Sequence, residues 1–103
     1  MTALSGSGPA YIFLLIEALR DAARAIKLDD ALILPLIYQT IEGAVALAKT
    51  SPLDPGTLRA HVTSKGGTTE AALAVFETRH FKTLIEDALK AAVLRSETLA
   101  LKK

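Results

Sequence analysis

Between Pro9 and Leu28 the chain confines its charged side chains to one narrow line. Glu17, Arg20, Asp21 and Arg24 fall at i, i+3, i+4 and i+7, a single stripe along an α-helix, and nearly everything else from Ala10 to Ile26 is apolar. Such a helix is about 30 Å long at 1.5 Å per residue. It has to be covered on most of its sides, by its own domain or by a second subunit. Its start is marked by Ser7-Gly8-Pro9: a cap-competent serine or glycine, then a proline whose missing N–H costs nothing in a first turn.

The rest of the chain punctuates itself in the same way. Asp29 or Asp30 caps a second helix reaching Lys49, and Pro35 inside it predicts a kink or a late restart. Thr50-Ser51-Pro52-Leu53 reads as a loop. Asp54-Pro55 opens a short helix through about Val62. After the glycines at 66 and 67 a helix is expected from Thr69 to about Thr78. A short Arg79-His80 joint follows, then a last helix from Phe81 to Leu99. Its apolar face is Phe81, Leu84, Ile85, Ala88, Leu89, Ala92 and Leu99. Lys102 and Lys103 lie beyond it and are expected to fray. No strand pattern, repeat or low-complexity tract is present. The expected fold is all-α, with residues 1–103 forming a single domain.

Composition limits the partners. Half the residues are hydrophobic, yet a domain this small buries only about 60–65 % of the surface its chain exposes. Apolar surface is therefore left over for a partner. A net charge of +1 with the signs mixed offers no basic stripe for nucleic acid, and the few aromatics sit inside apolar runs rather than on a stacking platform. The absence of cysteine removes disulfide and thiol chemistry and fits a reducing, cytoplasmic compartment. Apolar runs such as Ala31 to Tyr38 fall short of the roughly 20 residues that span a bilayer, so no membrane partner is expected. The N-terminus lacks the pattern of a signal peptide. Thr2-Ala3-Leu4-Ser5 reads instead as the middle of a longer protein with a start methionine added.

Chemistry concentrates in Ser64-Lys65-Gly66-Gly67-Thr68-Thr69. Two glycines allow close backbone approach, and they lead into two hydroxyls at a helix start whose first amides have no helical acceptor. Free N–H groups at the positive end of a helix dipole suit a carboxylate or a phosphate. The plainer alternative is a flexible connector. The segment is not a Walker A loop, because no lysine follows its second glycine. Ser5-Gly6-Ser7-Gly8-Pro9-Ala10-Tyr11 is a second small-residue turn, adequately explained as a cap. His61 stands just before the glycine loop, and two readings are open to it: facing a ligand, or facing solvent alone. His80 reads as surface, and Tyr11 and Tyr38 as core or interface residues. No His-x₃-His or carboxylate pairing supports a metal site, so none is expected.

Taken together, Ala3-Leu4-Ser5-Gly6-Ser7-Gly8-Pro9-Ala10-Tyr11, Gln39-Thr40-Ile41-Glu42-Gly43-Ala44, Leu58-Arg59, Val62-Thr63-Ser64-Lys65-Gly66-Gly67-Thr68-Thr69 and Arg95-Ser96 resemble the C-terminal domain of pyrroline-5-carboxylate reductase. The resemblance covers essentially the whole chain in collinear order, and its first and fourth motifs are specific to that family. It implies a helical bundle like the C-terminal domain of 6-phosphogluconate dehydrogenase, interlocked as a homodimer, with assembly beyond the dimer left open. It also implies a parent enzyme that makes proline from pyrroline-5-carboxylate with NADPH or NADH. The N-terminal dinucleotide-binding domain of such an enzyme has no counterpart here, since no βαβ pattern or glycine-rich fingerprint is present. The fragment is therefore expected to bind no cofactor and to be inactive alone.

Carried over motif by motif, the resemblance assigns the substrate carboxylate to Ser64 and to the backbone at Gly67, Thr68 and Thr69. Thr69 also contacts the ring nitrogen and is the expected catalytic residue. His61 stands where some members place a cofactor-contacting asparagine. Lys65 replaces a proline common in the family, and Lys27 and His80 replace glycines frequent at helix ends. Two other readings remain open. One is a helical association module with no catalytic role. The other is the helical domain of another β-hydroxyacid-type dehydrogenase, although no lysine here has the helical context of that group's base.

Overall fold

The computed structural model of the chain describes residues 2–101. Among these the backbone is helical and no strand is formed. A π-helical turn, Thr2–Gly6, is followed by α1 (Gly8–Ala25), α2 (Asp30–Thr50), α3 (Pro55–His61), α4 (Thr68–Thr78) and α5 (Phe81–Leu101). The all-α expectation holds, and the predicted helices lie within one to three residues of those found. Lys102 and Lys103 lie outside the described residues.

Local chemistry accounts for most boundaries. Asp29 is the N-cap of α2, its side chain accepting from the Ala31 N–H at 3.2 Å. Asp54 caps α3 in the same way, accepting from the Gly56 N–H at 2.9 Å, with Pro55 in the first turn. Pro35 lies inside α2, which runs unbroken from Asp30 to Thr50, so of the two outcomes expected there, a kink or a late restart, the late restart does not occur. A proline this near the start removes one backbone bond, and the remaining turns carry the helix through.

Three features differ from expectation. Residues 2–6 are already helical, ahead of the helix start expected at Pro9. They form a helical turn closed by the Ser7 N–H donating to the Thr2 carbonyl at 2.8 Å. Next, α1 stops at Ala25 rather than Leu28, because Lys27 takes φ 64. Finally, uninterrupted apolar runs understate helix length. Thr2–Ala25 and Asp30–Thr50 are both long and apolar enough, by length and composition alone, to cross a membrane.

The chain divides into two compact units, residues 1–10 with 63–103 and residues 11–62. In the first, the π-helical turn and α4 each pack against α5, and Ala3 in that turn is buried. In the second, Ile33 of α2 is 2 % exposed. An open groove of about 560 Å³ there is lined by Phe13, Ile16, Leu34 and Tyr38 with Glu17 and Arg20. At the turn between α1 and α2 the Arg24 guanidinium pairs with Asp30 at 2.9 Å. Ala3 and Ile33 are the only hydrophobic residues buried among those described, while Phe13 is 68 % and Leu94 66 % exposed.

Candidate functional site: the glycine turn before helix α4

The segment Ser64–Gly67 is a tight turn closed by the Gly67 N–H donating to the Ser64 carbonyl at 3.0 Å. Gly66, its third residue, has φ 76, and Lys65 has no positive φ. That combination is a type II turn, which requires a left-handed third residue and favours proline at the second. Lys65 occupies the proline-favouring position without proline's restriction on φ.

The two glycines do different jobs. Gly66 supplies the left-handed backbone, and a Cβ there would meet open space. Gly67 has φ −90 and ψ −177, extended backbone that any residue adopts. A Cβ on Gly67 would come to 3.2 Å from the Ser64 carbonyl oxygen and 3.3 Å from the Ser64 Cβ. Glycine there avoids a tight contact with Ser64, which a larger residue would have to relieve by a shift of a few tenths of an ångström.

Gly67 is the N-cap of α4 and brings no side-chain cap. Its carbonyl accepts the first helical bond, from the Ala71 N–H at 3.2 Å. The amides of Thr68, Thr69 and Glu70 therefore precede the first acceptor the helix offers. With the helix dipole behind them they have the arrangement that suits an anion. Ser64, Thr68 and Thr69 are exposed and Gly67 is half-buried, so the terminus is open to a ligand.

Four of the residues expected to bind substrate thus gather in one place. Ser64 packs against Gly67, and Thr68 and Thr69 are the next two residues, opening α4. His61 is not part of that turn. It lies exposed in the last turn of α3, in the unit of residues 11–62. No group of three or more His, Cys, Asp or Glu side chains placed to hold a metal is found among the described residues.

Sequence reasoning missed Glu70. Its Oε1 accepts the Gly66 N–H at 2.9 Å, reaching back from the first turn of α4 over the turn. An acid three residues after the cap is a known helix-start signal, but its usual partner is a serine or threonine cap. A glycine cap hides it.

The sequence matches the family described as pyrroline-5-carboxylate reductase dimerisation over residues 1–99. The pyrroline-5-carboxylate reductase of Pseudomonas aeruginosa is 47 % identical over 100 residues, which are 97 % of this chain and 37 % of that protein. That of Arabidopsis thaliana is 45 % identical, over 97 % of this chain and 36 % of that protein. Among solved structures, the Plasmodium falciparum pyrroline carboxylate reductase with NADP bound aligns with TM-score 0.91 and 38 % identity. It covers 94 % of this chain and 39 % of its own. The Coxiella burnetii enzyme aligns with TM-score 0.90 and 46 % identity, over 95 % and 36 %. The chain spans a little over a third of the length of these relatives.

Proposed function

The chain belongs to the pyrroline-5-carboxylate reductase family, and from that membership we propose that it is the dimerisation and substrate-binding part of an NAD(P)H-dependent enzyme reducing 1-pyrroline-5-carboxylate to L-proline. The observation that carries the reading at the site is the uncapped start of α4, directly after a type II turn. In this reading the substrate carboxylate rests on the Thr68 and Thr69 amides. The Ser64 hydroxyl donates to it from the side, and Gly67 leaves room for it.

Reduction of the imine raises electron density on the ring nitrogen as the neighbouring carbon becomes tetrahedral. A donor aimed at that nitrogen is worth more in the transition state than in the ground state. The Thr69 hydroxyl fills that role. Neutral amides and hydroxyls hold the anion without placing a second positive charge beside the imine.

When bound in the whole enzyme, the nicotinamide supplies a hydride. Among the described residues there is no strand, hence no βαβ cradle for a dinucleotide. His61, exposed in α3, is the one residue of this chain that the family resemblance would bring to the cofactor.

The partner is a second copy of this chain, with higher assembly possible, and the setting is cytoplasmic, in keeping with a cysteine-free sequence. The long apolar helices are assigned to that copy rather than to a bilayer. α1 carries Glu17, Arg20, Asp21 and Arg24, and a charged residue at the bilayer centre costs about 2.5–3.5 kcal/mol even on insertion scales.

Thr69 provides the test. In the full-length enzyme Thr69→Ala is expected to lower kcat on the order of 10²-fold, the loss typical of one oriented donor. Thr69→Ser should recover most of it. Equal turnover of Thr69→Ala and wild type would reduce Thr69 to an ordinary first-turn residue and end the site assignment.

A further inference from the structure

We propose that Glu70 is a positioning residue of the substrate loop: by holding the Gly66 amide it leaves the next amides in the chain as the ones presented to the carboxylate. The inference rests on the reading of this loop as the carboxylate site.

Consider the backbone N–H groups in order. Gly66 donates to Glu70 Oε1 at 2.9 Å, and Gly67 donates to the Ser64 carbonyl at 3.0 Å. Both amides of the glycine pair are consumed internally. The run that follows, Thr68 and Thr69, has no acceptor of its own in the helix. Gly66 is also the residue with the most freedom to leave its native conformation, at φ 76 with open space where a Cβ would be. Of the two internal bonds, the one from Glu70 is made by a side chain and acts on that free residue.

Without the Glu70 carboxylate the type II turn is held by its closing bond alone. The ligand must then order the turn as it binds, and affinity falls by the population of competent loop. The loss belongs to ground state and transition state alike, so it appears in KM with kcat little changed. Glu70 also places a negative charge in the first turn beside an anion site. A glutamine keeps the acceptor oxygen and removes that charge.

The experiment uses the full-length dimeric enzyme in four forms: wild type, Glu70→Ala, Glu70→Gln and Thr69→Ala. Steady-state kinetics are measured with pyrroline-5-carboxylate, and hydrogen exchange is followed at the Gly66 amide. Glu70→Ala should raise KM by roughly two- to tenfold, the range one hydrogen bond covers, with kcat within about twofold. It should also speed exchange at Gly66. Glu70→Gln should restore Gly66 protection and bring KM to the wild-type value or below.

A Gly66 amide that exchanges alike in wild type and Glu70→Ala overturns the proposal whatever the kinetics. So does a KM unmoved by Glu70→Ala, or a Glu70→Gln enzyme as impaired as Glu70→Ala. A merely structural cap would lower thermal stability in Glu70→Ala without moving KM. The Thr69→Ala arm separates the two layers: if it turns over like wild type, the carboxylate-site reading itself has failed. If Thr69→Ala is impaired and Glu70→Ala is not, only the positioning role has failed.

Discussion

At the scale of single residues, the glycine pair shows how one motif can answer two different constraints. Gly66 is needed for its φ of 76, Gly67 for its distance from Ser64. An alanine at 66 meets no neighbour and carries only left-handed strain, about 1–2 kcal/mol. A branched side chain at 67 starts 3.2 Å from the Ser64 carbonyl oxygen, so the turn must shift by a few tenths of an ångström to admit it. Gly67→Val is therefore expected to open the turn and abolish turnover in the full-length enzyme. The helices on either side should stay folded, since the clash lies within four residues. Circular dichroism and light scattering unchanged from wild type, beside lost activity, is the expected result; an active Gly67→Val enzyme would show that the close approach is not required. The glycines and hydroxyls were legible as a site in the sequence because their spacing is local. Which glycine bends and which one makes room was not, because that depends on where Ser64 comes to lie.

At the scale of elements, two joints deserve comparison. α1 ends in a Schellman arrangement: the Leu28 N–H donates to the Ala23 carbonyl at 3.1 Å and the Lys27 N–H to the Arg24 carbonyl at 2.9 Å. Lys27 sits at the left-handed position with φ 64. The joint between α4 and α5 shares part of this pattern: His80 is left-handed at φ 58, its N–H donating to the Glu77 carbonyl at 3.0 Å. Phe76 and Phe81, which flank that turn, meet edge to face with ring centroids 5.2 Å apart. This is the apolar contact that usually accompanies such a cap. Lys27 and His80 thus take the backbone that glycine would take, and the joints keep their geometry at a cost in strain. Lys27→Gly should relieve about 1–2 kcal/mol of left-handed strain while giving back about 0.5–1 in unfolded-chain entropy. The net expectation is a stabilisation of about 0.5–1 kcal/mol. It would be read as a raised Tm at fixed protein concentration, since melting of an oligomer depends on concentration. A lowered Tm would mean that the lysine side chain makes a compensating contact.

At the scale of the whole molecule, the surface does not close on itself. The chain exposes 8517 Å², whereas a folded monomer of 10.9 kDa is expected to expose about 5,600 Å². The excess is carried by large apolar side chains: Phe13, Leu14, Leu36, Leu84 and Leu94 are all exposed. Surface of that kind needs a cover, and membership of a dimerisation family points to a second copy. The buried area expected is that of an obligate pair, above about 2,000 Å² in total. Light scattering of the chain at micromolar concentration should give the mass of a dimer or a larger assembly. A well-folded monomer there would contradict it.

What the sequence determined alone was everything that acts over one helical turn. The caps at Asp29 and Asp54, the proline at 55 and the long apolar runs place the helices. The collinear motifs, ending in Ser64–Thr69, are sufficient to show the family. Helix starts and tight turns are set by neighbours in the chain, so composition and spacing read them directly. Only the tertiary structure decided the rest. The burial of Ala3 follows from the docking of the π-helical turn on α5. The exposure of most other apolar side chains is likewise a property of contacts made or missing across distance in the sequence. A helical pattern states which face is apolar; what covers that face depends on residues far away in the chain, or on another chain altogether.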